Sequence, residues 1–465
     1  MRSPARPRVI AYPLPPTEPS PHGVAPSSDY TIEVGGTAVP VYAAKVVSNG
    51  SVTTESILTG KPVATAIDTA SFAWFDAAYP VVVTVRPARP FERVTVRPSS
   101  YGIEPEVRNG EMRFRLDRPR KLSIELDGET DRPLLLFAGE PEADAPSPDD
   151  ADVVYFGPGV HEAGEIRPAS GQTVYLAGGA VVRGVISVTD AENVAIRGRG
   201  VLDASGIERH EHNHVIGLKN CRNCCMEGIV VYDSPLWTVV PWKCEGLMIR
   251  DLRLLGNWRP NSDGIDVVCS RDVTIEDCFI RAFDDCIALK GCSYGYDCGR
   301  APVENVLVRG CVIWCDLASA FEIGVETQTE AVRNIRYTDC DIIHVMHDEY
   351  WSAMSIHNGD AAEISDVRYE DVRVEDCRAR LLHVAIREFW AVKKDRGFGP
   401  IRDVTLRNVS VLTGPQPWCE ITGFDGEHAV ERVTFDNVRI LGRKVDAPAD
   451  LGLRTNEHVR DVRFV

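Results

Sequence analysis

A short run of the form apolar-x-apolar recurs along this chain. It appears at Val194-Ala195-Ile196, Leu247-Met248-Ile249, Val273-Thr274-Ile275, Val306-Leu307-Val308, Ile335-Arg336-Tyr337 and Val367-Arg368-Tyr369. It continues at Val404-Thr405-Leu406, Val433-Thr434-Phe435 and Val462-Arg463-Phe464. The runs starting at 247, 273, 306, 335 and 367 are spaced by 26, 33, 29 and 32 residues. Periods of this size, carried by short strands with no helical pattern, indicate stacked repeats that bury their apolar sides against one another. Regular strands with loops of variable length favour a right-handed parallel β-helix over a propeller, whose signature motifs the sequence lacks. Cysteine placement agrees. Cys278, Cys311 and Cys340 each follow the last residue of their run by three positions, which predicts an inward ladder of small buried thiols. Using the 14 cysteines this way suits a reducing compartment. Cys221-Arg222-Asn223-Cys224-Cys225 has no partner motif at zinc-finger spacing, so no metal is expected.

The rhythm differs upstream. Residues 1–28, rich in Pro and Ser, are expected to form a disordered or draped arm. Within 29–140, alternating runs such as Thr31-Ile32-Glu33-Val34, Val81-Val82-Val83-Thr84-Val85 and Leu122-Ser123-Ile124-Glu125-Leu126 are separated by Gly, Pro or Asn, the pattern of a small antiparallel β-sandwich. An acidic, Pro-containing linker at 141–152 leads to the repeats at 153–465. The expected class is therefore all-β.

A net charge of −17 argues against nucleic acid or an anionic membrane as partner. No apolar run reaches the roughly 18–20 residues that span a bilayer. The first twenty residues, broken by prolines, do not resemble a secretory signal, so a cytoplasmic location is expected unless a leader was removed.

Asn261-Ser262-Asp263-Gly264-Ile265-Asp266 precedes Asp284-Asp285-Cys286, and positions 263 and 284 differ by 21, close to one coil. Stacking would set Asp263 beside Asp284 and Asp285. Carboxylates packed this closely repel, which raises at least one pKa. A protonated and an ionised carboxyl can then coexist, as acid/base cleavage of a glycosidic bond requires.

Asn-Ser-Asp-Gly-Ile-Asp at 261–266 and Asp-Asp-Cys-Ile-Ala-Leu-Lys at 284–290 resemble the hallmark segments of glycoside hydrolase family 28, the polygalacturonase type. Ser234-Pro235-Leu236-Trp237 is similar to the family's segment one coil earlier, and Ile323-Gly324-Val325-Glu326 to the one a coil later. The resemblance implies a pectin-lyase-like right-handed β-helix and hydrolysis with inversion. Asp284 would be the general acid, and Asp263 and Asp285 would activate water. Two segments depart from the family: Leu317-Ala318-Ser319-Ala320 holds no histidine where Gly-His-Gly is usual, and Ser355-Ile356-His357 stands where Arg-Ile-Lys pairs with a substrate carboxylate. Without those cations a uronic acid loses its charge-assisted partner, unless Lys290 or Arg387 compensates. Polygalacturonase activity proper is thus not expected. A sandwich preceding the β-helix resembles the arrangement of family 49, the dextranase and isopullulanase group, which makes an α-glucanase the first alternative.

Other residues expected to bind substrate are Asn261, Glu322, Glu326, His357, Trp237, Tyr350 and Trp351, alongside Lys290 and Arg387. Aromatic rings stack on sugar faces while polar neighbours take hydroxyls. His344 and His347 are grouped with Tyr350 and Trp351 as a subsite loop; His210, His212 and His214 alternate but lack a fourth metal ligand. No cofactor and no metal are called for. The expected partner is an oligo- or polysaccharide; the N-terminal unit could wall the groove, bind glycan or make a homo-oligomer. A lyase or epimerase, or a non-catalytic glycan-binding β-helix, are the remaining alternatives.

Overall fold

The computed structural model describes residues 9–15, 23–48, 66–209, 211–292, 298–347, 351–389 and 397–465. Past residue 152 the chain winds into a parallel β-helix of three strands per coil. One coil is Arg271–Glu276, Phe279–Ala282 and Ile287–Lys290; the next is Val303–Arg309, Val312–Cys315 and Phe321–Ile323. The first strand of each coil joins a 12-stranded parallel sheet, and the other two form a 21-stranded sheet, counted among the described residues. Register is held coil to coil, with Ile275 opposite Val308, Ile280 opposite Ile313 and Ile287 opposite Phe321. The sharp corner after the first strand uses side chains that tolerate left-handed backbone. Asp251, Asp277, Asp339, Asp371, Asn408 and Asn437 all sit there at φ between 51° and 54°. The residue after each corner turns inward: Cys278, Cys311, Cys340, Val372, Val409 and Val438 are fully buried. The cysteine ladder is therefore part of the apolar core, as the sequence implies.

Ahead of the helix lie a five-stranded and a seven-stranded sheet packed face to face, antiparallel except where Leu134–Gly139 runs parallel to Ile67–Ala77. Val9–Ala11 and Ala25–Pro26, inside the expected arm, pair with Ile67–Ala77 and Tyr42–Val47 as strands of the larger sheet. One face of this sandwich is buried against the helix. Tyr42, Phe72, Trp74 and Phe137 pack on Tyr232, Phe279, Trp314 and Ile343, which project from the second strand of successive coils. Burying this much aromatic surface fixes the two units together. Polar ties lock the seam: Trp74 Nε1 donates to the Arg199 carbonyl at 3.0 Å, and Arg199 pairs with Asp76 at 2.8 Å. The second face of the helix is thus closed, and the corner leading to the third strand lies at the rim of the sandwich. There Val47 packs on Phe283, Leu317 and Trp258.

Candidate active site

The three aspartates occupy that corner. Asp263 stands two residues before the strand Ile265–Val268, and Asp284 and Asp285 fill the turn between Phe279–Ala282 and Ile287–Lys290. Parallel pairing of Ile265 with Ile287 stacks the two turns. Gly264 is required between them, because a Cβ there would meet the Cys286 carbonyl oxygen at 2.3 Å. One carboxylate oxygen from each of Asp263, Asp284 and Asp285 lies within 4.8 Å of the others. Asp263 and Asp285 are buried, and Asp284 alone is half-exposed.

Local hydrogen bonds fix each acid. The Asp263 carbonyl accepts from Thr238 N at 3.1 Å and Thr238 Oγ1 at 2.5 Å. Asp285 Oδ1 accepts from Ser319 N at 3.1 Å. Asp284 Oδ1 accepts from Asp285 N at 3.0 Å, and its other oxygen lies 3.5 Å from Asn261 Nδ2. Asn261 is itself held by Arg209, whose Nη2 donates to its side-chain oxygen at 2.6 Å. Arg209, which sequence reasoning missed, thereby brings a guanidinium to the rim of the acid cluster. Nothing in its local sequence signals this, since it lies two coils upstream.

Lys290 supplies the buried countercharge. Its Nζ is 3.0 Å from Asp263 Oδ2 and 3.0 Å from Asp266 Oδ1, and it sits 4.1 Å from the centre of the Trp237 ring. Both Lys290 and Trp237 are buried, so they meet each other rather than open groove. One lysine cannot balance this many carboxylates. Burial raises Asp263, Asp284 and Asp285 above the ordinary range, Asp263 and Asp285 furthest, and neighbouring acids add to it: Asp266 for Asp263, Glu322 for Asp285. Asp266 is pushed up to about 6 by burial, against the pull of Lys290. Lys290 stays protonated, held up by Asp263 and Asp266 against its own desolvation. The three acid oxygens are close enough to share a cation, and of the three only Asp263 pairs with Lys290.

One coil on, Glu322 is buried and 2.9 Å from His357 Nδ1, and His357 Nε2 lies 2.8 Å from His383 Nδ1. His383 reaches Glu420 at 3.5 Å. A carboxylate–imidazole chain thus runs along successive coils from the acid cluster, where an Arg-Ile-Lys segment would place free cations. Glu326 is half-buried beside Gly291, whose N–H donates to its carbonyl at 2.7 Å. Arg387 lies over the Phe389 ring at 4.8 Å and adds positive field at His383. Trp351 is 7% exposed and packs in the coil core, so its ring face is not offered to the groove. Tyr350, like His210 and Trp390, lies outside the described residues. His344 corrects the subsite grouping: its strand belongs to the sandwich-covered face, where it bonds Glu125 at 2.9 Å and Asp376 at 3.1 Å. His214 packs on Trp242, and burial lowers it to about 4.

Glycosyl hydrolases family 28 matches residues 175–449, more than half of the chain. A probable polygalacturonase of Arabidopsis thaliana is 34% identical over 151 residues, 27% of this chain and 33% of that protein. An exopolygalacturonase of Zea mays is 25% identical over 212 residues, 41% and 47% of the two chains. The chain thus spans a third to a half of the length of these relatives. Among solved structures, Dex49A from Penicillium minioluteum superposes with TM-score 0.67 at 15% identity over 98% of this chain and 96% of its own. The Yersinia enterocolitica family 28 exopolygalacturonase gives 0.52 at 11% identity over 82% and 96%. These likenesses show a shared fold, and the Dex49A match extends it through the N-terminal sheets.

Proposed function

The chain belongs to glycosyl hydrolases family 28, and from that premise we propose that it hydrolyses an α-linked oligo- or polysaccharide with inversion, using Asp263, Asp284 and Asp285. The observation that carries this reading is the convergence of three carboxylates within 4.8 Å, only one of them open to solvent. Asp284 is the general acid. The cluster shares protons among its carboxyls: one rests on Asp284, the acid open to the glycosidic oxygen, while the Lys290 ammonium keeps negative charge on the buried pair. Asp263 and Asp285 bind the attacking water. Oxygens 4.8 Å apart can both accept from one water at about 2.8 Å, with an angle near 118° at the water. As the water attacks the anomeric carbon, its proton passes to that pair, the C–O bond breaks, and the leaving oxygen takes the proton of Asp284.

We further infer that the sugar beside His357 is neutral. The imidazole is turned onto Glu322 and His383, and Glu322 adds negative charge next to Asp285. A uronate carboxylate would face net repulsion there. The alternative favoured by the names of the curated relatives is a galacturonan, with Arg209 and Arg387 as its carboxylate partners. Purified protein incubated with matched α-linked neutral and galacturonic oligosaccharides separates the two. Release of reducing ends from the neutral series supports this reading; turnover confined to the uronic series refutes it.

A further inference from the structure

Most cysteines of the helix donate to backbone carbonyls within the coil stack, as Cys278, Cys311 and Cys340 do. Three others are arranged differently. Cys269 follows the strand Ile265–Val268, Cys292 follows Ile287–Lys290, and Cys298 lies just beyond. Their Sγ atoms point at one another, all within 4.8 Å, with Cys269 and Cys298 buried and Cys292 half-buried. Cys269 and Cys292 Sγ are 4.0 Å apart, and Cys298 N donates to Cys292 Sγ at 3.3 Å.

We propose that Cys269, Cys292 and Cys298 form a thiolate site for a zinc-type cation, separate from the aspartate cluster. Metal–sulfur bonds of about 2.3 Å in tetrahedral geometry put ligand sulfurs about 3.8 Å apart. The observed 4.0 Å needs almost no adjustment, whereas a disulfide requires about 2.05 Å. Three soft thiolates select zinc or a similar thiophilic ion over magnesium or calcium. Among the described residues, these three sulfurs are the ligands that converge there. Binding replaces each S–H by a metal–sulfur bond and releases a proton for every thiol ionised, with no change of oxidation state. Occupancy should therefore weaken as pH falls.

The site lies directly behind the catalytic floor. Trp237, which carries Lys290 on its ring, belongs to the same apolar cluster as Cys269 and Cys298. Cys269 N donates to the Lys290 carbonyl at 3.0 Å. A bound ion would pin together the ends of the two strands that bear Asp266 and Lys290. The sequence hides this site because the ligands come from two coils and no short motif joins them.

The test is a Co²⁺ titration of the full, reduced, chelator-stripped chain. One equivalent of Co²⁺ should give thiolate-to-cobalt charge-transfer absorption, lost on adding Zn²⁺. X-ray absorption of the zinc-loaded protein should show three sulfur neighbours. Cys269→Ser and Cys298→Ser should each weaken binding by more than about 100-fold, while Cys278→Ser leaves it unchanged. The proposal is overturned if excess Co²⁺ gives no charge-transfer band, or if the band survives in the Cys269→Ser/Cys298→Ser double variant. Recovery of a disulfide among these cysteines by unreduced peptide mapping overturns it as well. The wild-type titration and absorption spectrum decide the matter even if a variant misfolds.

Discussion

Two buried charge clusters in this molecule have opposite electrostatics. At the seam between sandwich and helix, Arg97 pairs with Glu125 at 3.1 Å and also with Glu375, and His344 bridges Glu125 to Asp376. With Arg378 on Asp376 at 3.2 Å, three cations match three anions there. His344 and Arg97 hold Glu125 below the usual carboxylate range despite burial, and the His344 bond holds Asp376 down to about 2. At the corner two coils away, Lys290 faces Asp263 and Asp266 with Asp284, Asp285 and Glu322 behind them, and the same burial drives Asp263, Asp266, Asp284 and Asp285 upward. Desolvation is similar in both places. The count of compensating charges decides whether it becomes adhesion or reactivity.

Four changes sharpen that contrast. The largest expected effect is Asp284→Asn, which should cut hydrolysis by about 10²–10⁴-fold, the usual worth of a general acid, with a thermal midpoint no lower than that of the wild type. Next, Arg97→Met should lower unfolding free energy by about 3–5 kcal/mol in urea titrations, because it strands Glu125 and Glu375 in the seam. If it costs nothing, the seam is not held by its charges. Smallest is Asp285→Asn, whose side-chain oxygen can still accept from Ser319 N. Asp285 is raised in the folded state, so its ionisation costs stability as pH climbs through the folded value. The variant should melt higher than wild type near pH 7–8, and the gap should close below the ordinary carboxylate pKa. Asp376→Asn should do the reverse. Its stabilisation is present above the unfolded value near 3.8 and lost as pH falls toward 2. Melting curves across pH 2–8 check both signs.

Much of this was legible in the sequence. The spacing of apolar-x-apolar runs identifies the coil, and one coil of separation places Asp263 beside Asp284 and Asp285. What stayed hidden depends on partners that no local pattern encodes. Whether Lys290 faces substrate or aspartate turns on which acids stack around it. His344 and Trp351 look like a groove loop in sequence, yet the strand carrying His344 lies under the sandwich and Trp351 packs into the coil core. The sandwich decides which face is closed, and its aromatic contacts with Tyr232, Phe279 and Trp314 join segments far apart in the chain. Arg209 escaped notice because it reaches the site through Asn261 from a loop with no motif of its own.

Proton NMR of the first product formed from an α-linked oligosaccharide tests the central claim most directly. Inverting hydrolysis predicts that the fresh reducing end appears as the β-anomer and then mutarotates. An initial α-anomer would contradict the proposed placement of water on the Asp263–Asp285 pair.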